Sequence, residues 1–264
     1  MKHRRSAAVV TAALLSCSPA LAGGFAVVGT GDGMEMLHAA SVVFSAKHPD
    51  APVTVPPSIG SGGAVAAVGA DRSVLGRVAR PLKDAEKAQG LETTPIVRIP
   101  SAFFVHPSAG VSALTTQQLV DIYAGRISTW KELGGPDLKI KVVRREEADS
   151  TLGELRATMP GWKDLEITSR SKMAMTTQEA IESVRTVEGA IGFGPYATAL
   201  EQGTTIVTVD GKHPTDPSYY SAVTLALLHK PSTLTPDAKS FVEFTRSAKA
   251  HGLFRQMGGV PVSQ

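Results

Sequence analysis

An alternating α/β fold is what this sequence predicts, on three observations: a short apolar strand runs through a glycine turn into a helix, a second unit of the same kind follows it, and a later strand ends in two arginines before a capped helix. Phe25-Ala26-Val27-Val28 is the first strand, Gly29-Thr30-Gly31-Asp32-Gly33 the turn, and Met34, Leu37, Ser41 and Phe44 recur at helical spacing. Val53-Thr54-Val55 is the second strand, followed by a loop with Gly60-Ser61-Gly62-Gly63 and an Ala/Val helix. Strand, glycine turn and helix form a cradle for anions, because the free amides of a helix start point at the turn.

Further along, Thr115-Thr116-Gln117-Gln118 is a capping box leading into Leu119, Ile122 and Tyr123, with Gly125 as the stop. Ile140 to Val143 is a strand that runs into Arg144-Arg145, and Asp149, Ser150 or Thr151 can cap the next helix. Arginine offers a planar fork of donors to phosphate or carboxylate, so this stretch adds a third anion-directed turn. Thr176-Thr177-Gln178-Glu179 caps a helix carrying Ala180, Ile181, Val184 and Val187, and Ala190 to Phe193 is a strand containing Gly192. Thr235-Pro236 opens a final helix through Phe241, Phe244 and Ala248. No repeat or low-complexity linker interrupts the chain, so a second domain would be reached through ordered strands.

Residues 1–22 read as a secretory signal: Lys2, Arg4 and Arg5 are the basic start, Ala7 to Leu15 the apolar run, and Ala20-Leu21-Ala22 the cleavage site. That reading expects an exported, soluble, periplasmic product starting at Gly23. The alternative is a lipoprotein tethered through Cys17, the only cysteine, within Leu14-Leu15-Ser16-Cys17. Of 27 lysines and arginines three lie in the leader, which leaves 24 against 24 acidic residues, so the mature chain is neutral and nucleic acid is not an expected partner.

Enzyme signatures are missing. The seven histidines are scattered without an i, i+4 pair or a cysteine partner, so neither a metal nor a cofactor is expected. There is no G-x-S-x-G elbow, no P-loop lysine and no complete dinucleotide fingerprint. Glu146-Glu147 are neighbours that face opposite ways if extended, and a hydrolase built on Asp149 or Ser150 has no base beside it in sequence.

Gly60-Ser61-Gly62-Gly63, Arg80-Pro81-Leu82 before Glu86, the run Tyr123-Ala124-Gly125-Arg126-Ile127 through Trp130 to Leu133-Gly134-Gly135, Arg145-Glu146, and Gly189-Ala190-Ile191-Gly192-Phe193 occur in that order. In these the chain resembles the phosphate-binding proteins of ABC importers. The resemblance implies a type II periplasmic binding protein: two mixed-sheet α/β lobes joined by a two-strand hinge, with lobe I formed by 23–99 and 203–264 and lobe II by 100–202. It implies a monomer that captures phosphate or a related oxyanion between the lobes and delivers it to an ABC permease. A sensory or adhesive module on the same scaffold is the alternative.

By position, the resemblance carries ligand contacts onto Thr30, Gly31, Asp32 and Gly33 in the first loop, Ser61 and Gly62 in the second, and Arg145 as the clamp. Asp149, Ser150 and Thr151 fall where the family usually has Ser-Gly-Thr. Arg77 is an addition which, with Arg80 and Arg145, makes the expected cleft more positive. Two positions depart from the family: Val74 stands where phosphate binders carry the aspartate that accepts the ligand's proton, and Ala79 stands in place of a serine. Asp149 or Asp32 could substitute as that acceptor, or Asp149 could serve only as a helix cap.

Overall fold

The computed structural model describes residues 23–262, so the proposed leader, its cleavage after Ala22 and Cys17 lie outside the described residues. In chain order the elements are β1 (Phe25–Gly29), α1 (Met34–Ser45), β2 (Val53–Thr54), α2 (Gly60–Gly69), β3 (Leu75–Val78), α3 (Asp84–Lys87), β4 (Glu92–Val105), β5 (Ala113–Leu114), α4 (Thr116–Tyr123), β6 (Lys141–Arg145) and α5 (Ser150–Thr158). They continue with β7 (Lys172–Ala174), α6 (Thr177–Thr186), β8 (Ala190–Pro195), β9 (Thr205–Val209), β10 (Ala222–His229), α7 (Pro236–Thr245), α8 (Ala248–Gln256) and β11 (Val260–Pro261). Among the described residues no helix is long and apolar enough to cross a membrane.

The strand order is β2-β1-β3-β10-β4-β8-β6-β7. Its two ends are parallel and its middle is antiparallel, the mixed α/β sheet that the alternating pattern predicts. The long strand β4 is shared. Its first half pairs with β10 as far as Pro100, and from Ser101 onward it pairs with β8 and β9. One core gathers Leu37, Phe44, Val97, Leu225 and Phe241 on the first half, and another gathers Phe103, Tyr123, Trp130, Trp162 and Phe193 on the second. The chain therefore forms two lobes that meet across β4. Because β9 pairs with Phe103–Val105 and with β5, residues 203–220 lie with lobe II, and the return crossing falls at Ser221 rather than at 203. There the Ser221 carbonyl accepts from the Ser101 amide at 2.9 Å, and their hydroxyls bond at 2.8 Å.

Most caps read from sequence form as read. Thr115 and Gln118 close a reciprocal box, and Thr176 and Thr235 accept the Glu179 and Ala238 amides, each in the first turn of its helix. Three elements differ from expectation. Gly60 to Gly63 are the first turn of α2 rather than a preceding loop, because Ile59 takes the N-cap position. Val187 has left the helical conformation and caps α6 instead of continuing it. The expected single C-terminal helix breaks after Thr245, and Ser247 caps a new one through the Ala250 amide.

The Tyr-to-Gly-Gly run has a packing explanation. Trp130 is fully buried, and its indole N–H donates to the Gly189 carbonyl at 3.0 Å, so this motif and the Gly189-Ala190 motif hold each other. Tyr123 joins Trp162 at 5.0 Å between ring centroids in the same core.

At the end of β1, Gly29 has φ of 144°, and a Cβ there would strike the Arg77 carbonyl and the Ala64 methyl. Gly29→Ala is expected to lower stability by about 2–4 kcal/mol, from the strained backbone and the displaced β3. Chemical denaturation checks this; a loss below about 1 kcal/mol would show that the turn yields easily.

Candidate functional site

The first loop is held from behind by Arg77. This fully buried guanidinium donates to the Thr30, Val27 and Pro56 carbonyls, so each of its nitrogens is taken by backbone. It is a strut under the loop rather than a fork presented to the cleft, which corrects the expectation drawn from sequence. Burial lowers its pKa to about 10, with the Asp32 charge opposing, so it remains cationic at neutral pH. The Thr30 amide donates to the Arg77 carbonyl at 3.1 Å, and the Thr30 hydroxyl accepts from the Asp32 amide at 3.2 Å. Gly33, at φ of 63°, then turns the chain into α1. Gly31 and Thr30 are buried with Asp32 at this turn.

Arg80 and Gly62 do not join the cleft. Arg80 makes a two-pronged ion pair with Glu86, both bonds 2.8 Å, and also donates to the Pro81 carbonyl. That pairing holds the Glu86 carboxyl down at about 2. The sequence lists Arg80 before Glu86 and the structure explains the spacing: Glu86 also accepts the Lys83 amide at the start of α3, so Arg80 fastens that turn. Gly62 faces outward on α2.

The remaining candidates converge from both lobes. Ser61 on α2 accepts the Ala79 amide at 3.2 Å and bonds Ser150 of lobe II, hydroxyl to hydroxyl, at 3.1 Å. Arg145, at the end of β6, donates through Nε and Nη2 to Asp149 Oδ2 at 3.0 and 2.8 Å, and through Nη1 to the Ala174 carbonyl at 2.8 Å. Asp149 Oδ1 accepts the Leu152 amide at 2.9 Å and so caps α5. Asp149 thus caps the helix with one oxygen and pairs with Arg145 through the other; of the two roles weighed from sequence, acceptor for the ligand or helix cap, these bonds form the cap, and the pair with Arg145 is an addition.

Sequence reasoning missed Thr177. Its hydroxyl donates to Asp32 Oδ1 at 3.1 Å across the lobes, and beside it the Gln178 amide reaches the Gly31 carbonyl at 3.4 Å. A second threonine next to the capping Thr176 was the available signal, since it places a hydroxyl at the first helical position, as Ser150 does on α5.

Two buried polar atoms lack a hydrogen-bond partner here, Asp32 Oδ2 and Thr151 Oγ1. Asp32 is fully buried, and its pKa rises to about 7, first because of burial and then because of the Asp149 charge, with Arg145, Thr177 and Thr30 opposing. With Arg77 and Arg145 set against Asp32 and Asp149, the cleft has no excess of positive charge when both carboxylates are ionised. Serine and threonine hydroxyls, helix-start amides and one carboxyl with a raised pKa can surround a small oxyanion, and the carboxyl, when ionised, can accept a hydrogen bond from a protonated oxygen of it. Among the described residues no group of three or more His, Cys, Asp or Glu side chains is placed to hold a metal.

A family model described as a PBP superfamily domain matches residues 16–249. The chain belongs to this superfamily. It is similar to phosphate-binding protein PstS of Bacillus subtilis (strain 168), with 27% identity over 198 residues, which are 73% of this chain and 63% of that relative. The chain thus spans less than two thirds of the length of that curated relative. Among solved structures it is similar to a phosphate ABC transporter substrate-binding protein from Clostridium perfringens with bound phosphate. There the TM-score is 0.83 and the identity 28%, over 91% of this chain and all (100%) of the other. An ABC-type phosphate transport receptor from Vibrio cholerae shares the fold at a TM-score of 0.67 and 21% identity, over 91% of this chain and 100% of that one. The two-lobed architecture built around β4 is therefore the type II fold of periplasmic binding proteins.

Proposed function

We propose that this protein is an exported solute-binding protein that closes on phosphate and presents it to an ABC permease, without catalysis. The observation that carries the reading is Asp32 Oδ2, an unpartnered acceptor in a fully buried carboxyl that already bonds Thr177 of the opposite lobe. A phosphate oxygen carrying a hydrogen would satisfy it, and the unpartnered Thr151 hydroxyl would serve a bare oxygen of the same ligand. Sulfate has no proton to offer, so against the ionised Asp32 carboxylate it would meet a lone pair with a lone pair. Asp32 thereby takes the acceptor role that Val74 cannot. Asp149 is already engaged, by Arg145 and by the α5 amide.

The relatives that bind phosphate support the same ligand class, and Ser150 supports a binding role: its hydroxyl contacts Ser61, not a base. The hydroxyl and amide groups from α2, α5 and α6 would hold the anion only when the lobes meet, so binding and closure are one event.

Thermal unfolding of ligand-stripped protein tests this reading. Phosphate at 100 times its dissociation constant is expected to add about 2.7 kcal/mol of stability, while sulfate at equal ionic strength adds far less. Equal shifts with the two anions, or none with phosphate, would contradict the assignment.

A further inference from the structure

A cavity lies between the lobes at the contact between Gly31 and Thr177–Gln178, and these residues form part of its wall. Its volume is about 50 Å³. A water needs roughly 10–15 Å³ on this measure, so the cavity has room for roughly three to five heavy atoms. Met34 of lobe I and Ile181 and Leu200 of lobe II give it an apolar lining.

Arg185 also faces this cavity. Its Nη2 donates to the Ala199 carbonyl at 2.8 Å, but its Nε is buried without an acceptor, and among the described residues it forms no ion pair. Arg185 is half-buried, and a buried Nε–H without an acceptor is costly; a carboxylate matching the planar edge of the guanidinium relieves that cost. Glu35, exposed at the rim, disfavours a ligand with more than one negative charge.

We propose that this cavity, which adjoins the main cleft through Gly31 and Thr177, is a second site for a short-chain monocarboxylate, its carboxylate on Arg185 and its carbon chain against Met34, Ile181 and Leu200. The walls come from both lobes, so the ligand is held fully only when they are closed. Occupancy therefore favours the closed arrangement and strengthens capture in the main cleft, and the effect is reciprocal.

The test compares sodium propionate with sodium chloride at equal ionic strength on the mature protein, by thermal unfolding without phosphate and by calorimetric phosphate titration. Propionate is expected to raise the melting temperature and to tighten phosphate binding at least about fivefold, where chloride does neither. Both effects should vanish in Arg185→Gln, which removes the charge, and in Ile181→Phe, which fills the cavity; the latter carries the test if the former folds poorly. A propionate effect no larger than that of chloride would overturn the proposal, as would one that persists in both variants. The unfolding readout needs no phosphate, so it stands or falls separately from the main cleft's ligand.

Discussion

Arg145→Ala is expected to cost about 3–5 kcal/mol of stability and to abolish tight phosphate binding. The pair with Asp149 is buried, with bonds of 2.8 and 3.0 Å, and removing the arginine leaves Asp149 as an uncompensated carboxylate facing Asp32. The Ala174 carbonyl also loses its donor, which loosens β7 where the chain enters α6 and Thr177. Arg145 lowers the pKa of Asp32, so without it that carboxyl stays protonated to higher pH. The loss should be strongly non-additive: Asp149→Asn in the Arg145→Ala background is expected to restore stability, since an amide still caps α5 and leaves no stranded charge. Denaturation of the two single variants and the double variant checks this. Additive losses, or a cost below about 1 kcal/mol for Arg145→Ala, would show that the pair is dispensable.

Asp32→Asn is expected to act in opposite directions on stability and on selectivity. The folded pKa of about 7 lies above the ordinary 3.8, so between those values the folded state keeps a proton that the unfolded chain has released. The Asp32 contribution to stability therefore falls as pH rises from about 4 to 7 and is level above that. An amide has no such dependence. At pH 8 the unbound variant should be more stable than wild type by an amount on the order of a few kcal/mol, and the difference should disappear toward pH 4. Ligand discrimination should shrink at the same time, because an amide can donate to sulfate where a carboxylate repels it. A site that is destabilised when empty and relieved by its ligand's proton accounts for both changes. Urea denaturation at pH 5 and pH 8 provides the stability half of the test; an Asn variant less stable than wild type at pH 8 would contradict it.

Much of this architecture was legible in the sequence because local chemistry declares it. Apolar periodicity located β1, α1 and α4, and Thr115, Thr176 and Thr235 marked helix starts by their own hydrogen bonds. The long hinge strand was hidden by Pro95 and Pro100, which argue against a central strand. The sheet accommodates them with a register shift opposite Pro95, between Leu225 and Ala226, and by the crossing at Ser101. The return crossing at Ser221 depends on β9 pairing with β4 and β5, a contact that no local pattern encodes.

The candidate site divides along the same line. Glycine turns and hydroxyls near helix starts pointed to Asp32, Ser61, Ser150 and Thr151; the fold bonds the first three across the lobes and buries Thr151 beside Ser150 at the start of α5. The arginines were ambiguous because a guanidinium serves a ligand, a carboxylate or the backbone equally well. Only the tertiary structure gives Arg77 to three carbonyls and Arg80 to Glu86. Thr177 escaped notice because its cap-like neighbour Thr176 explained the local sequence completely.

The most direct test of the central assignment is competition calorimetry of phosphate against sulfate from pH 5 to 9, on wild type and Asp32→Asn. If Asp32 and the ligand share one proton, the wild-type preference for phosphate should rise from pH 5 to about 7 as Asp32 ionises and stay level above that, and there it should fall about 10- to 100-fold in the variant, the cost of the lost acceptor. An identical phosphate-to-sulfate ratio in the two proteins at every pH would contradict the account and remove Asp32 from ligand selection.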